Sequence, residues 1–350
     1  MAYTTIDNPE LYFQAKNYSG NASTNAITLD GSEDMQPDMV WLKSRSFSQN
    51  HELYDAVRGV TKRLYPNGTY VEDTNSTGVT AFNSDGFTLG SSNAINKNGE
   101  TFASWNWKAG TSFTNDASST SIGTIDSTGS ASSDAGFSIV SYTGNGTSGA
   151  TVKHGLSTAL DVIFIKNRDE SEAWQTYHRP LGATHHLVLN GTDSAQDNDS
   201  RFNDVHPTSS VFTLGNNDTV NKNTVKFIAY CFHSVKGYSK FGSYTGNNNS
   251  NGTFVYLGFK PAFVMFKNTT GNNWGIIDNK RDPYNGALHR LIPNTSGADN
   301  TGAGVVIDFL SNGFKCRNSD GLENGAAEII YMAFAENPFV NSNGVPTNAR

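Results

Sequence analysis

Cysteine is nearly absent: the 350 residues hold only Cys231 and Cys316, too few for a disulfide framework. Charge is sparse too, at 16% of residues, and the balance is acidic, −7 at neutral pH. That excludes the basic face with which a general nucleic-acid binder neutralises phosphates. No apolar run approaches the roughly 18 residues of a membrane span. Residues 1–10 show no basic-then-apolar leader pattern, so export by the usual route is not expected. Catalytic signatures are missing as well: there is no Gly-x-Ser-x-Gly elbow, phosphate-binding glycine loop or His-Glu-x-x-His pair. What the chain does have is 34 Gly, 40 Asn and many Ser and Thr, with 21 Phe, 14 Tyr and 5 Trp. Asn and Gly favour bends over helix interiors, and the aromatics can build cores that a disordered chain lacks.

Internal repetition is the strongest signal. Four landmarks occur three times in the same order. The first is a Tyr-x-Gly-Asn bend at Tyr18, Tyr142 and Tyr244. The second is an apolar run closed by lysine, ending at Lys43, Lys166 and Lys267. The third surrounds Phe87, Phe212 and Phe314. The fourth spans 102–107, 227–232 and 329–334. The Tyr of the first landmark and the Phe of the third lie 69, 70 and 70 residues apart, and the fourth begins 15 residues later in every copy. Periods of about a hundred residues indicate tandem domains, since short-repeat solenoids have units of roughly 20–50.

The boundaries that follow are an N-terminal arm at 1–12, units at 13–109, 136–236 and 237–340, and a tail at 341–350. Residues 110–135, almost all Ser, Thr, Gly, Ala and Asp, read as a flexible linker. Units two and three have almost no spacer. The spacing therefore predicts a rigid pair joined loosely to unit one, whose arm would dock while the pair reaches outward.

Four-residue apolar runs such as Val162–Ile165 fit strands covered on both faces. The fourth landmark alternates, with Trp105 and Trp107, Tyr230 and Phe232, and Met332 and Phe334 on one side, as a sheet-to-sheet core requires. Ser84-Asp85-Gly86 and Ser311-Asn312-Gly313 mark hairpins; unit two lacks the glycine, so its bend must differ. Residues 51–65 have helical spacing, but the matching stretches contain Pro180 and Pro283, which favours a hairpin in all three copies. The fold class is all-β: three tandem repeats of a small antiparallel β-sandwich, jelly-roll or lectin-like.

The hairpin carries recurring polar residues: Asp55, Arg58 and Asn67 in unit one; His178 and Asn190 in unit two; Asp278, Arg281 and Asn294 in unit three. An Asp and an Arg three residues apart can pair to fix a turn, or can present a polar notch to a sugar or a neighbouring subunit. Six of the eight histidines lie in unit two, but only His185 and His186 are adjacent, and strand neighbours face opposite ways, so no metal site is expected. No cofactor and no catalytic residue is expected either. Cys231 falls in a core-strand pattern, where packing is its default role. Scattered carboxylates leave a glycosidase pair open, although triplication of the whole unit favours binding over turnover.

Several strings resemble a family of tail-fibre-like virion proteins common in marine bacteriophages, including those of cyanobacteria. They are Tyr142-Thr143-Gly144-Asn145, Ser84-Asp85-Gly86-Phe87-Thr88-Leu89-Gly90, the stretch from Gly237 to Tyr244, Ser104 to Trp107, and the closing Tyr331-Met332-Ala333-Phe334-Ala335-Glu336-Asn337-Pro338-Phe339. The resemblance runs from about Tyr12 to Phe339. It implies a non-enzymatic virion protein, assembled in the host cytoplasm, that serves as a tail fibre or receptor-binding appendage. Its partners would be other tail proteins and a host-surface glycan, with no nucleic acid and no membrane insertion. It would form a homo-oligomer, a trimer by analogy with fibres. The alternatives are a capsid decoration or adaptor protein and, more remotely, a polysaccharide depolymerase.

Overall fold

Three antiparallel sheets share one strand order, namely opening, closing, inner and hairpin strand. In the computed structural model, which describes residues 3–347, unit one supplies Phe13–Ser19, Thr101–Trp107, Met39–Ser44 and Glu52–Asp55 in that order. Unit two supplies Phe137–Thr143, Lys226–Phe232, Val162–Asn167 and Gln175–His178. Unit three supplies Ser239–Thr245, Glu328–Pro338, Phe259–Asn268 and Trp274–Asp278. Matching residues face one another across closing and inner strands: Trp105 with Trp41, Tyr230 with Phe164, Met332 with Met265.

The two faces of each sheet have different destinations. Phe102, then Phe227, Ala229 and Cys231, then Ile329, Tyr331 and Ala333 each cover a core belonging to their own unit. A small second sheet closes each of these sandwiches. Its strands are Asn25–Ile27, Gly86–Leu89 and Val79–Asn83 in unit one, Ala150–Lys153 and Val211–Leu214 in unit two, and Phe254–Tyr256, Gly313–Cys316 and Ile307–Leu310 in unit three. The alternate residues Trp105, Trp107, Tyr230, Phe232, Met332 and Phe334 enter one cluster common to all three units. There the Phe334 ring stacks on Phe13 with centroids 5.0 Å apart and meets Phe232 at 6.0 Å, so rings from three units touch. Both sheet faces are therefore dry, and the inner strands are apolar without alternation for that reason.

This arrangement corrects three expectations. Unit one is not loosely tethered, because its Phe13, Trp41, Trp105 and Trp107 lie in the shared cluster with units two and three. Residues 110–135 are not a flexible linker: Thr111–Asn115 and Ser127–Ser132 form strands, and the second pairs along the opening strand of unit two. That opening strand would otherwise be a sheet edge with unpaired backbone groups. Threonine suits such an added strand, and Ile125 anchors the segment in the unit-two core. The arm is not a free extension, since Ile6 joins the shared cluster and Thr4 Oγ1 donates to the Lys236 carbonyl at 2.8 Å; residues 1–2 lie outside the described residues. In the tail, the Ser342 N–H donates to Asp7 at 2.7 Å, and residues 348–350 also lie outside the described residues.

The Tyr-x-Gly-Asn signature has a physical reason. A buried asparagine, Asn96, Asn221 or Asn324, accepts the backbone N–H of Asn21, Asn145 or Asn247 through its side-chain oxygen. The tyrosine hydroxyl donates to the carbonyl just before that asparagine: Tyr18 to Ile95, Tyr142 to Val220, Tyr244 to Glu323. A Cβ on Gly20, Gly144 or Gly246 would stand 2.2, 2.3 or 2.0 Å from a carbonyl oxygen, so only glycine fits there.

Residues 51–65 are strand, turn, strand, with Leu53 bridged to Leu64, and the same contact recurs as Thr176–Leu187 and Ile276–Leu291. The third landmark is a hairpin in units one and three. In unit two, Val211–Leu214 pairs with Ala150–Lys153 alone, and the Thr208 hydroxyl accepts the Ser210 and Val211 N–H groups instead.

Candidate functional site

The recurring hairpin residues lie in the seams between units. Asp55 ends the unit-one hairpin strand and pairs with Arg58 at 2.5 Å, both side chains fully buried. It also accepts the hydroxyl of Tyr230, on the closing strand of unit two, at 2.6 Å. Asp278 pairs with Arg281 at 2.6 Å and accepts Trp105 Nε1, on the closing strand of unit one, at 2.9 Å. His178 occupies the third equivalent place, and its Nε2 donates to the Tyr331 carbonyl, on the closing strand of unit three, at 3.1 Å. The contacts run one to two, two to three and three to one, which closes a ring. Arg179 turns instead to Asp161 within unit two, at 2.9 Å.

Each hairpin continues into a short strap that lies along the same seam. Asn67, Asn190 and Asn294 begin these straps, and their side-chain oxygens accept the backbone N–H of His51, Trp174 and Trp274. They thereby fix where the hairpin strand starts. Two residues on, the strap carbonyl receives an ammonium from the adjacent unit: Lys166 reaches Thr69 at 3.1 Å, Lys267 reaches Thr192 at 3.1 Å, and Lys43 reaches Ser296 at 3.3 Å. Burial pushes all three lysines down to about 8. Further along, Glu72 accepts both Arg58 and Arg168, and Asp299 accepts both Arg281 and Arg45. Burial alone would raise these two carboxyls, but their arginine partners outweigh it and hold both below the usual range. Unit two has Ala195 at that place, so the shared carboxylate is missing from its seam and the backbone bond from the Ala195 N–H to the Thr269 carbonyl, 2.8 Å, stands there instead.

The buried imidazoles give the molecule an acid sensitivity. Burial pushes His154, His178 and His186 each down to about 4. An unfolded chain protonates histidine near pH 6.5. Between roughly pH 6.5 and 4 the unfolded chain thus binds protons that the folded chain refuses, and stability falls as pH drops. Glu323 acts in the opposite sense: burial raises it to about 7, so its contribution is lost as pH rises toward neutrality. Burial likewise pushes His51 well below its ordinary value and raises Asp38 and Glu52 as it raises Glu323, and the four imidazoles outweigh these carboxyls. The thermal midpoint is expected to fall by about 5 °C between pH 7 and pH 5; a flat or rising midpoint would show that these rings are not held neutral.

The outward-opening concavities include two of 500 Å³ or more. One is a groove of 750 Å³ beside the added strands of unit two, walled by Asp116, Asp126, Thr128, Arg168 and Lys226 among others. The other is a notch of 500 Å³ over the strap of unit one, lined by Asn50, Tyr65, Tyr70, Val71, Asp73 and Ser171. Sequence reasoning missed all six. The signal was in the straps themselves, where Asn67-Gly68-Thr69-Tyr70 aligns with Asn190-Gly191-Thr192-Asp193 and Asn294-Thr295-Ser296-Gly297. Among the described residues, no three His, Cys, Asp or Glu side chains cluster as metal ligands would. Cys231 and Cys316 are free and buried, and burial raises the Cys316 thiol to about 12.

A family model described as Domain of unknown function (DUF7483) matches residues 8–338. No curated protein and no solved structure matches the chain.

Proposed function

Since the chain belongs to the DUF7483 family, a description that assigns no activity, we propose that it is a non-catalytic structural protein of a bacteriophage virion, a tail-fibre-like appendage that contacts the host surface. The observation that carries this reading is where the recurring polar residues lie. Asp55, Arg58, His178, Asp278 and Arg281 are all buried, and each serves a hairpin or a seam. The repeated chemistry is thus architectural, and the outer faces carry hydroxyls, amides, a few aromatics and exposed charges such as Lys97, Asp218 and Arg317, a composition suited to wet contact. The strings that resemble tail-fibre proteins support the same reading. Further copies of the chain, other tail proteins and a host glycan would all meet it through outer surfaces, because the inner faces are occupied within one chain.

Immunogold labelling of purified virus and adsorption of the purified chain to host cells test the proposal together. Label on a tail appendage with saturable adsorption is the expected result. Label on the capsid shell without adsorption would replace it with a decoration role, and release of reducing sugar from host capsule would replace it with an enzyme.

A further inference from the structure

We propose that the notch over the unit-one strap is a saccharide site that stacks one face of an uncharged hexopyranose on Tyr70; this rests on the attachment reading above. The threefold arrangement acts as an internal control. What the architecture needs is present three times: the strap asparagines, the lysines beneath the straps, the backbone bonds at the far ends. Tyr70 is present once, with Asp193 and Gly297 at the matching places. An exposed aromatic that two of three equivalent straps do without is not required by the fold.

Tyr70 is also held ready. It is 55% exposed, yet its strap is tied on both sides, by the Lys166 ammonium at Thr69 and by the 2.8 Å bond from the Glu72 N–H to the Arg168 carbonyl. A Cβ on Gly68 would stand 2.7 Å from the Tyr70 ring, so the glycine lets the ring lie against the strap. The Tyr65 ring meets it edge-on at 5.2 Å and 64°, and Tyr65 is itself anchored through its carbonyl by Trp174 Nε1 at 2.9 Å. Little side-chain freedom remains to be lost when a ligand arrives, which favours binding.

The polar groups of the notch suit sugar hydroxyls. Asp73 accepts two guanidinium bonds from Arg63, at 3.0 and 2.7 Å, and the Tyr65 hydroxyl at 3.2 Å, while its side chain stays 41% exposed. Lone pairs remain for vicinal hydroxyls, and the Arg63 guanidinium, which also pairs with buried Glu52 at 2.8 Å, offsets part of the negative charge beside them. The Asn50 oxygen is taken by Asn67 Nδ2 at 2.9 Å, and its amide nitrogen has no acceptor among the described residues. A convergent set of polar groups beside an aromatic face is how ligand pockets fix orientation.

Saturation-transfer-difference NMR on the full chain, with the methyl glycosides of glucose, galactose and mannose as probes, tests the site. Transfer to ring C–H protons of at least one probe is expected. Tyr70→Ala should weaken it by roughly tenfold or more. Gly68→Ala, which keeps the phenol but displaces it, should weaken it too, and Tyr256→Ala, an exposed tyrosine in unit three, should leave it unchanged. No transfer to any probe, or equal transfer in Tyr70→Ala, overturns the proposal. Host-cell adsorption separates the two readings. Equal adsorption by wild type and Tyr70→Ala without transfer removes the notch and keeps attachment; transfer without any adsorption keeps the notch and removes attachment.

Discussion

Replacing Arg58 by alanine is expected to destabilise the folded chain by about 3–5 kcal/mol, the range for stripping one partner from a buried ion pair. The guanidinium faces Asp55 at 2.5 Å and Glu72 at 3.1 Å, and it caps the Leu53 and Lys62 carbonyls at 3.1 Å each. Without it, a carboxylate with no access to water keeps only the Tyr230 hydroxyl and local backbone. Arg58→Lys should recover little, because one ammonium cannot reproduce a planar fork with bonds in four directions. Guanidinium-chloride unfolding followed by tryptophan fluorescence reads the loss. A change under about 1 kcal/mol, the scale of an exposed pair, would mean that this seam does not depend on the ion pair.

His178→Asp should cost about 3 kcal/mol, although aspartate is the residue at both equivalent places. What selects the side chain is its partner across the seam. Asp55 and Asp278 meet donors, the Tyr230 hydroxyl and Trp105 Nε1. Met332 stands where those residues stand and has no proton to give, so the available partner is the Tyr331 carbonyl, which needs a donor. An aspartate there would set a buried carboxylate against a carbonyl oxygen. Adding Met332→Tyr should restore a donor, so the double-mutant cycle is expected to show favourable coupling of about 1 kcal/mol or more. A harmless single substitution, or strictly additive effects, would show that the donor–acceptor match is not what sets this position.

The landmarks were legible because each bend, run and alternation is a local demand: Gly246 lies against a carbonyl, Tyr244 bonds its neighbour's backbone, and residues 263–266 are covered on both sides. Alternation at Trp105 and Trp107 also showed that one face was apolar. It could not show that this face meets two other units instead of its own second sheet, because a pattern of burial does not name the element that covers it. Residues 110–135 misled for a related reason. Strand addition there depends on an open edge at Phe137–Thr143, a property of another segment. The Asp55–Arg58 and Asp278–Arg281 pairs were visible as pairs, while their burial was not. Tyr70 went unnoticed because an exposed side chain leaves no periodic trace.

The shared aromatic cluster has a consequence for descent. A lone hundred-residue unit would turn Trp105 and Trp107, or their counterparts, toward water across a whole sheet face, an apolar patch of the kind that drives association. The product of a gene encoding one such unit would have to cover that face, as three copies closing the same ring would do. Fusion into one reading frame removes the need for that encounter. It also frees each third to diverge, as the lone tyrosine of one strap and the lone histidine of one seam already do.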